Sequence, residues 1–193
     1  PSASSNPYEG KLSVDKDMTI KAATFSNGQQ MGEILTLPLN WNLATAKPLA
    51  AGPKAASIVM NGLRGSLKQT DFEWYTGDLG KDFSLTIDLQ QTTDISQCTV
   101  GCVTNYGMAV HKPRRVKVEV SEDNQTFTEA GQLTYTDADI FKEGNFIEDL
   151  SLDTSGAKGR YVRFTFETPG NCPTGHVRPG QPSRVYIDEI IIR

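Results

Sequence analysis

The chain has 193 residues, 37% hydrophobic and 22% charged, with a formal net charge of −4. This suits a globular protein with one medium domain and a small appendage, large enough to fold without disulfides or a partner. The 19 basic residues against 23 acidic ones form no long run, so no broad basic surface exists for phosphate backbones and nucleic acid is excluded as a partner. No apolar run approaches the ~18 residues of a membrane span, so membrane insertion is not expected. Residues 1–10 lack the apolar core of a signal peptide. The sequence begins at Pro1 rather than Met and reads as an excised or mature piece, its targeting signal lying upstream.

A polar, Ser/Pro-rich lead opens the chain. Met18-Thr-Ile-Lys-Ala-Ala-Thr-Phe25 and the run 32–37 flank Asn27-Gly28. Both turn residues tolerate positive φ, and the pattern predicts a β-hairpin. A lone hairpin is marginal, so this unit needs a packing or pairing partner. Asn6-Pro-Tyr-Glu-Gly10 followed by Val14-Asp-Lys-Asp-Met-Thr-Ile-Lys-Ala-Ala-Thr-Phe25 resembles the second half of the small β module near the C-terminus of chitobiases and β-hexosaminidases. The strand that precedes this segment in that family is absent here, which implies an open edge. The expected division is 1–40 for this unit and 41–193 for the main domain. Trp41, in the Ala/Pro/Gly-rich link, reads as a staple between the units or as core cover, and not as a ligand contact.

Residues 71–89, DFEWYTGDLGKDFSLTIDL, hold the most informative stretch. Phe83, Leu85, Ile87 and Leu89 alternate with Ser84, Thr86 and Asp88, the signature of a half-buried strand. Further strands are predicted over 95–103, 115–120, 160–166 and 185–192, with almost no helix between them. Short strands separated by turn-rich loops predict an antiparallel sandwich or barrel. In the last run, strict alternation from Val185 and Ile187 turns Glu189 inward and Ile190 and Ile192 outward. A buried unpaired carboxylate is costly. Either a bulge near Asp188 shifts the register and leaves Glu189 solvated, or Glu189 meets a cation.

Three ordered segments resemble the factor V/VIII type C (discoidin-like) domain in its carbohydrate-binding module family 32 form. They are Ala56-Ser-Ile-Val-Met-Asn-Gly-Leu-Arg-Gly-Ser66, Ser121-Glu-Asp-Asn-Gln-Thr-Phe127, and the pair Gly159-Arg-Tyr-Val-Arg-Phe164 and Tyr186-Ile-Asp-Glu-Ile190. The resemblance covers about residues 42–193. It is nearest to the copy at the C-terminus of bacterial family 20 glycoside hydrolases, where a Cys-Pro-x-Gly-His loop like 172–176 also occurs. It implies an all-β, galactose-binding-like jelly-roll sandwich with a structural Ca2+ in many members and sugar held at one end.

By position, the carbonyls of Ile58, Leu63 and Asp188, the side chains of Asn61 and Ser66 and the Glu189 carboxylate match the family's Ca2+ ligands. Asn61 stands where the family usually has Asp, and Arg184 where it more often has an aromatic. The resemblance also implies a secreted, periplasmic or cell-surface bacterial protein. Its function would be to target a chitobiase-like catalytic domain to a glycan ending in galactose or N-acetylhexosamine.

A pyranose presents an apolar C–H face ringed by hydroxyls, so its site needs an exposed aromatic platform with polar groups around it. Trp74 and Tyr75 are the platform candidates, with Asn105, Tyr106, Arg114, His176 and Arg178 around them. Each has a structural alternative: Trp74 as a core plug, Tyr106 as edge cover, His176 bonded to a loop carbonyl, and Arg114 with Arg115 as a solvated basic face. Carboxylate pairs such as Asp71/Glu73, Asp137/Asp139 and Glu148/Asp149 are common by chance, and HExxH, GxSxG and phosphate-cradling motifs are missing. His111 and His176 have no Cys or Asp at ligand spacing, so no shared zinc is expected. Cys98 and Cys102 on an extended strand sit roughly 13 Å apart, too far for a disulfide. Cys172 could reach either, and buried free thiols are the favoured reading. The region therefore reads as non-catalytic, either a carbohydrate-binding module or a structural spacer of the parent glycosidase.

Overall fold

The computed structural model describes residues 1–10 and 12–193. The chain divides into two compact units, Pro1–Asn42 and Leu43–Arg193. In the first, strands β1 (Met18–Ser26) and β2 (Gln29–Leu39) pair antiparallel, with Ser26 opposite Gln29. Asn27 and Gly28 take φ of 50° and 80°, the two positive values that a type I′ turn requires. Trp41 is 36% exposed, and its backbone N–H donates to Asp17 Oδ1 at 2.7 Å.

The second unit carries seven described strands, all antiparallel to their neighbours. They are β3 (Leu49–Ala51), β4 (Tyr75–Thr76), β5 (Phe83–Asn105), β6 (Arg115–Ser121), β7 (Thr128–Thr134), β8 (Asn145–Glu167) and β9 (Tyr186–Ile192). The runs predicted over 83–89 and 95–103 are one strand. Near its middle β5 loses register with β8, between Asp88 and Thr93 and again between Ile95 and Gln97, and Gln90 there has φ of 70°. The break lets β5 and β8 serve both layers of a sandwich. Their 83–88 and 161–166 halves pair with β3 and β6, and β7 follows on β6. Their 97–105 and 145–153 halves join β9, which carries β4. This is the expected all-β jelly-roll sandwich. Among the described residues, no helix is long and apolar enough to cross a membrane.

The inner faces meet in one core. Leu85, Ile87, Val116, Val118, Val162, Phe164 and Phe166 come from one layer, and Cys98, Val100, Cys102, Leu150, Leu152, Ile187, Ile190 and Ile192 from the other. Each large apolar side chain buried this way contributes about 1.5–3 kcal/mol. All three cysteines are free and buried, and burial pushes the Cys98 thiol up to about 12.

β9 departs from strict alternation. Val100 faces Ile190 but Cys102 faces Ile187, so β9 spends one extra residue there and bulges. The bulge brings Ile187, Ile190 and Ile192 all into the core and leaves Asp188 and Glu189 between them, both fully buried. The inward placement of Glu189 is therefore joined to a bulge, and the solvated carboxylate expected beside a bulge does not occur. Asp188 is satisfied by Arg64 Nε and the Gly65 N–H, each at 2.9 Å to Oδ2, and by the Glu189 N–H at 2.6 Å to Oδ1. Across the ladder, Gly101 makes room for this group: a Cβ there would overlap the Asp188 carboxylate and the Arg64 guanidinium.

Gly101→Ala should therefore cost on the order of 2 kcal/mol, the usual size of an overpacking penalty, read as a lower midpoint in urea with an unchanged slope. Acid should weaken the fold through two further carboxylates. Asp88 accepts from Arg160 Nε and Nη2, both at 2.8 Å, and Glu119 accepts from Arg163 Nε at 2.9 Å. These hydrogen bonds hold both carboxyls below their ordinary 3.8 and 4.5. Stability from a depressed carboxyl is complete above the unfolded value and is lost as pH falls through the folded one. The melting temperature should hold down to about pH 4.5 and drop below it, and Asp88→Asn with Glu119→Gln should flatten that drop.

Candidate functional site

Four loops gather where β5 ends and β8 begins: residues 61–74, 106–114, 135–144 and 168–184. Asn105 and Asn145 are ladder partners at that edge. Asn105 Nδ2 donates to Gln69 Oε1 at 3.3 Å, and Gln69 Nε2 reaches Asn145 Oδ1 at 3.5 Å. Three amides thus form a polar row, and the loop that brings Gln69 also carries Phe72, a residue 77% exposed.

Trp74 and Tyr75 do not form the expected platform. Trp74 is 6% exposed and packs with Val103 and Val110 on the outer side of β5. Its Nε1 donates to the Ser66 carbonyl at 2.9 Å, and its ring lies so close to Gly65 that a Cβ there would overlap it. Tyr75 is 7% exposed, belongs to the main core and meets Phe83 edge-on at 5.6 Å. The core-plug alternative is the one adopted, because Gly65 leaves a slot that the indole fills. Sequence reading missed Phe72, although it stands two residues before Trp74. Nothing local distinguishes the two; the slot does.

Arg114 is tied to Asp137 Oδ1 at 2.7 Å and to the Pro169 carbonyl at 3.3 Å, and Arg115 pairs with Glu167, so neither forms a free basic face. Arg178 Nε donates to the Gly107 carbonyl at 2.5 Å and its backbone N–H to His176 Nδ1 at 2.9 Å. These bonds tie the 172–181 loop to the Tyr106 turn. Arg184 acts through its backbone, with its N–H donating to the Ala109 carbonyl and its carbonyl accepting from His111.

Tyr106 covers His176, the ring centroids 3.9 Å apart, and His111 stands 5.1 Å from His176 and 5.0 Å from Phe141. The fold thus assembles what sequence spacing kept apart: ligating atoms of His111, Cys172 and His176 all lie within 4.8 Å of one another, and all three residues are buried. Among the described residues, neither His111 ring nitrogen nor His176 Nε2 has a hydrogen-bond partner. Each buried polar atom left so costs about 1–3 kcal/mol. Burial, reinforced by the neighbouring His176, pushes His111 down to about 4. The Ile140 carbonyl opposes that shift without making a hydrogen bond of ordinary length and angle. Burial also lowers His176.

The 58–66 segment, beginning in a short 3-10 turn, folds over the β9 bulge. The Gly62 N–H lies 3.1 Å from both Glu189 carboxylate oxygens, and Asn61 Oδ1 accepts from the Leu63 N–H at 2.8 Å. Glu189, Asn61 and the Ile58 carbonyl, which accepts from the Asn61 N–H at 3.3 Å, therefore meet around Gly62; among the described residues, nothing comparable draws the Leu63 carbonyl to them. Ser66 is engaged elsewhere: its hydroxyl donates to Asp71 and its carbonyl accepts from Trp74. The side chain of Asp188 is committed to Arg64.

No curated protein matches the chain. Among solved structures, chitosan-binding module 1 of a chitosanase/glucanase from Paenibacillus sp. IK-5 is 17% identical, with 80% of this chain and 99% of that one covered and a TM-score of 0.49. CpGH89CBM32-6 of Clostridium perfringens is 20% identical over 79% of this chain and 98% of its own, TM-score 0.47. The C-terminal domain of a chitobiase from Bacteroides fragilis is 19% identical over 72% and 78%, TM-score 0.42. The profile of the F5/8 type C domain matches residues 48–177, more than half of the chain and nearly all of the sandwich up to its last strand. The chain belongs to the F5/8 type C domain family.

Proposed function

We propose that the sandwich is a non-catalytic carbohydrate-binding module, with Phe72 as its platform and the amides of Gln69, Asn105 and Asn145 as its polar rim. The observation that carries this reading is the exposed aromatic on the loop that also brings Gln69 to the Asn105–Asn145 pair. An aromatic face suits the C–H side of a pyranose, and amides offer donors and acceptors to its hydroxyls. The glycan would end in galactose or N-acetylhexosamine. The non-catalytic reading is supported by the engagement of the carboxylates. Asp137 holds Arg114, Asp139 caps the short helix α1 (Asp137–Ile140), Glu148 holds Lys112 and Asp149 holds Arg64. In the full protein the module would hold a secreted or surface-held chitobiase-like catalytic domain at its substrate by raising effective concentration. We extend the proposal to Ca2+, held by Glu189, Asn61 and neighbouring carbonyls, where it would stiffen the 58–66 segment.

Titration with galactose, N-acetylgalactosamine and N-acetylglucosamine tests the sugar site. Phe72→Ala should weaken binding about tenfold, ~1.4 kcal/mol, with the melting temperature unchanged. Trp74→Ala should instead lower stability by about 3–5 kcal/mol. A folded wild-type protein that binds none of these sugars or a wider glycan panel would leave the structural-spacer reading in its place. For the cation, added Ca2+ should raise the melting temperature in a concentration-dependent way, and Glu189→Gln should abolish the increment. An increment absent from the wild-type protein would retire the Ca2+ assignment.

A further inference from the structure

We infer that His111, Cys172 and His176 form a metal site that takes Zn2+ through one nitrogen of each imidazole and the Cys172 sulfur, with water in the fourth position. The inference is independent of the sugar site and of the Glu189 neighbourhood. It starts from three buried side chains, His111 at 0%, Cys172 at 3% and His176 at 4% exposure. Their ligating atoms converge within 4.8 Å, and three of the four ring nitrogens have no hydrogen-bond partner of ordinary geometry among the described residues. A folded core seldom leaves so many polar atoms unpaired in one place, and a cation that binds one nitrogen of each ring resolves two of the three, leaving one His111 nitrogen to the Ile140 carbonyl beside it. Two imidazoles and a thiol are nitrogen and sulfur donors of the borderline-soft kind that zinc prefers, and three protein ligands with one open position is a recurrent zinc arrangement.

The surroundings fit. His111 reaches the cluster from the connection between β5 and β6, while Cys172 and His176 stand on the 168–184 loop. A metal would therefore staple that loop to the sandwich, beneath Tyr106. The Ile140 carbonyl beside His111 is placed to hold the remaining ring N–H, the usual partner of a metal-bound imidazole. The Cys172 Sγ has the Ser183 hydroxyl at 3.7 Å, a weak partner that leaves the sulfur available.

Proton accounting defines what loading must change. Without metal, His176 Nδ1 accepts the Arg178 N–H, so that ring carries its proton on Nε2. Coordination through Nε2 moves this proton to Nδ1, and the Arg178 contact opens. Residues 175–180 can accommodate this, since Gly175 and Gly180 at either end have nothing within 4 Å of a Cβ position. The Cys172 thiol loses its proton to solvent as the Zn–S bond forms, and no electron is transferred.

The test uses the whole chain, stripped with a chelator and titrated with Zn2+ alone and with Co2+ alone. One equivalent should bind. The Co2+ form should show a thiolate-to-metal charge-transfer band with tetrahedral d–d absorption, and Zn2+ should raise the melting temperature. Cys172→Ser should remove the charge-transfer band, and His111→Gln should weaken Zn2+ at least about 100-fold, more than the loss of an outer partner would. Glu189→Gln should leave Zn2+ uptake unchanged. The wild-type Co2+ spectrum needs no variant to fold. A folded protein that takes up no equivalent, a Co2+ complex without the thiolate band, or full uptake in Cys172→Ser would each overturn the site.

Discussion

The sandwich is organised around one buried carboxylate. Asp188 sits at the β9 bulge without exposure to solvent, and its two oxygens collect the Arg64 guanidinium and the N–H groups of Gly65 and Glu189. A charge in that position is tolerable only because its partners are complete; removing one side of such a pair costs about 3–5 kcal/mol. Arg64 extends the network outward to Asp149 at 2.5 Å, so the 61–66 segment is held to both β9 and β8. The network depends in turn on Gly101, whose missing side chain is the space the carboxylate occupies.

Much of the candidate site follows from that anchor. With Gly65 held against Asp188, the slot beside it receives the Trp74 indole, and the loop between them turns outward, leaving Phe72 exposed and Gln69 near Asn105. The same anchor holds Gly62 over Glu189. Loop geometry at this end of the sandwich is therefore set from inside the core.

The far loop is held by different chemistry. Residues 168–184 contain few apolar side chains, and their ties to the sandwich are polar or aromatic: Arg178 to the Gly107 carbonyl, Tyr106 over His176, and the backbone exchange of Arg184 with Ala109 and His111. Beneath them lies a cluster of imidazoles with too few hydrogen bonds. A loop with little apolar area to bury gains most from a cross-link of another kind, and a His/Cys cluster at its base suits that need.

Local periodicity and turn chemistry determined the elements. The Asn27-Gly28 hairpin, the alternation through Leu85 and Ile87, the valine face of β6 and the all-β sandwich were legible because each depends on residues a few positions apart. Bending of β5 across two layers was not legible: the polar residues 90–94 mark the break, but they read as a gap between two strands and not as a bend within one. The site was legible as a set of loops and less so as a set of side chains: Asn105, Tyr106, His176 and Arg178 do assemble at one end, whereas Trp74 is buried and the exposed aromatic of its loop is Phe72, which the sequence did not single out. Which aromatic is buried depends on a slot opened by Gly65, and that slot depends on Asp188, more than a hundred positions away in the chain. Likewise, His111 meets Cys172 and His176 only because β9 and the backbone of Arg184 bring the two loops together. Sequence by itself determined what each segment could form; contacts between distant segments decided which side chains face solvent and which ligating atoms meet, because burial and proximity are properties of the packed chain.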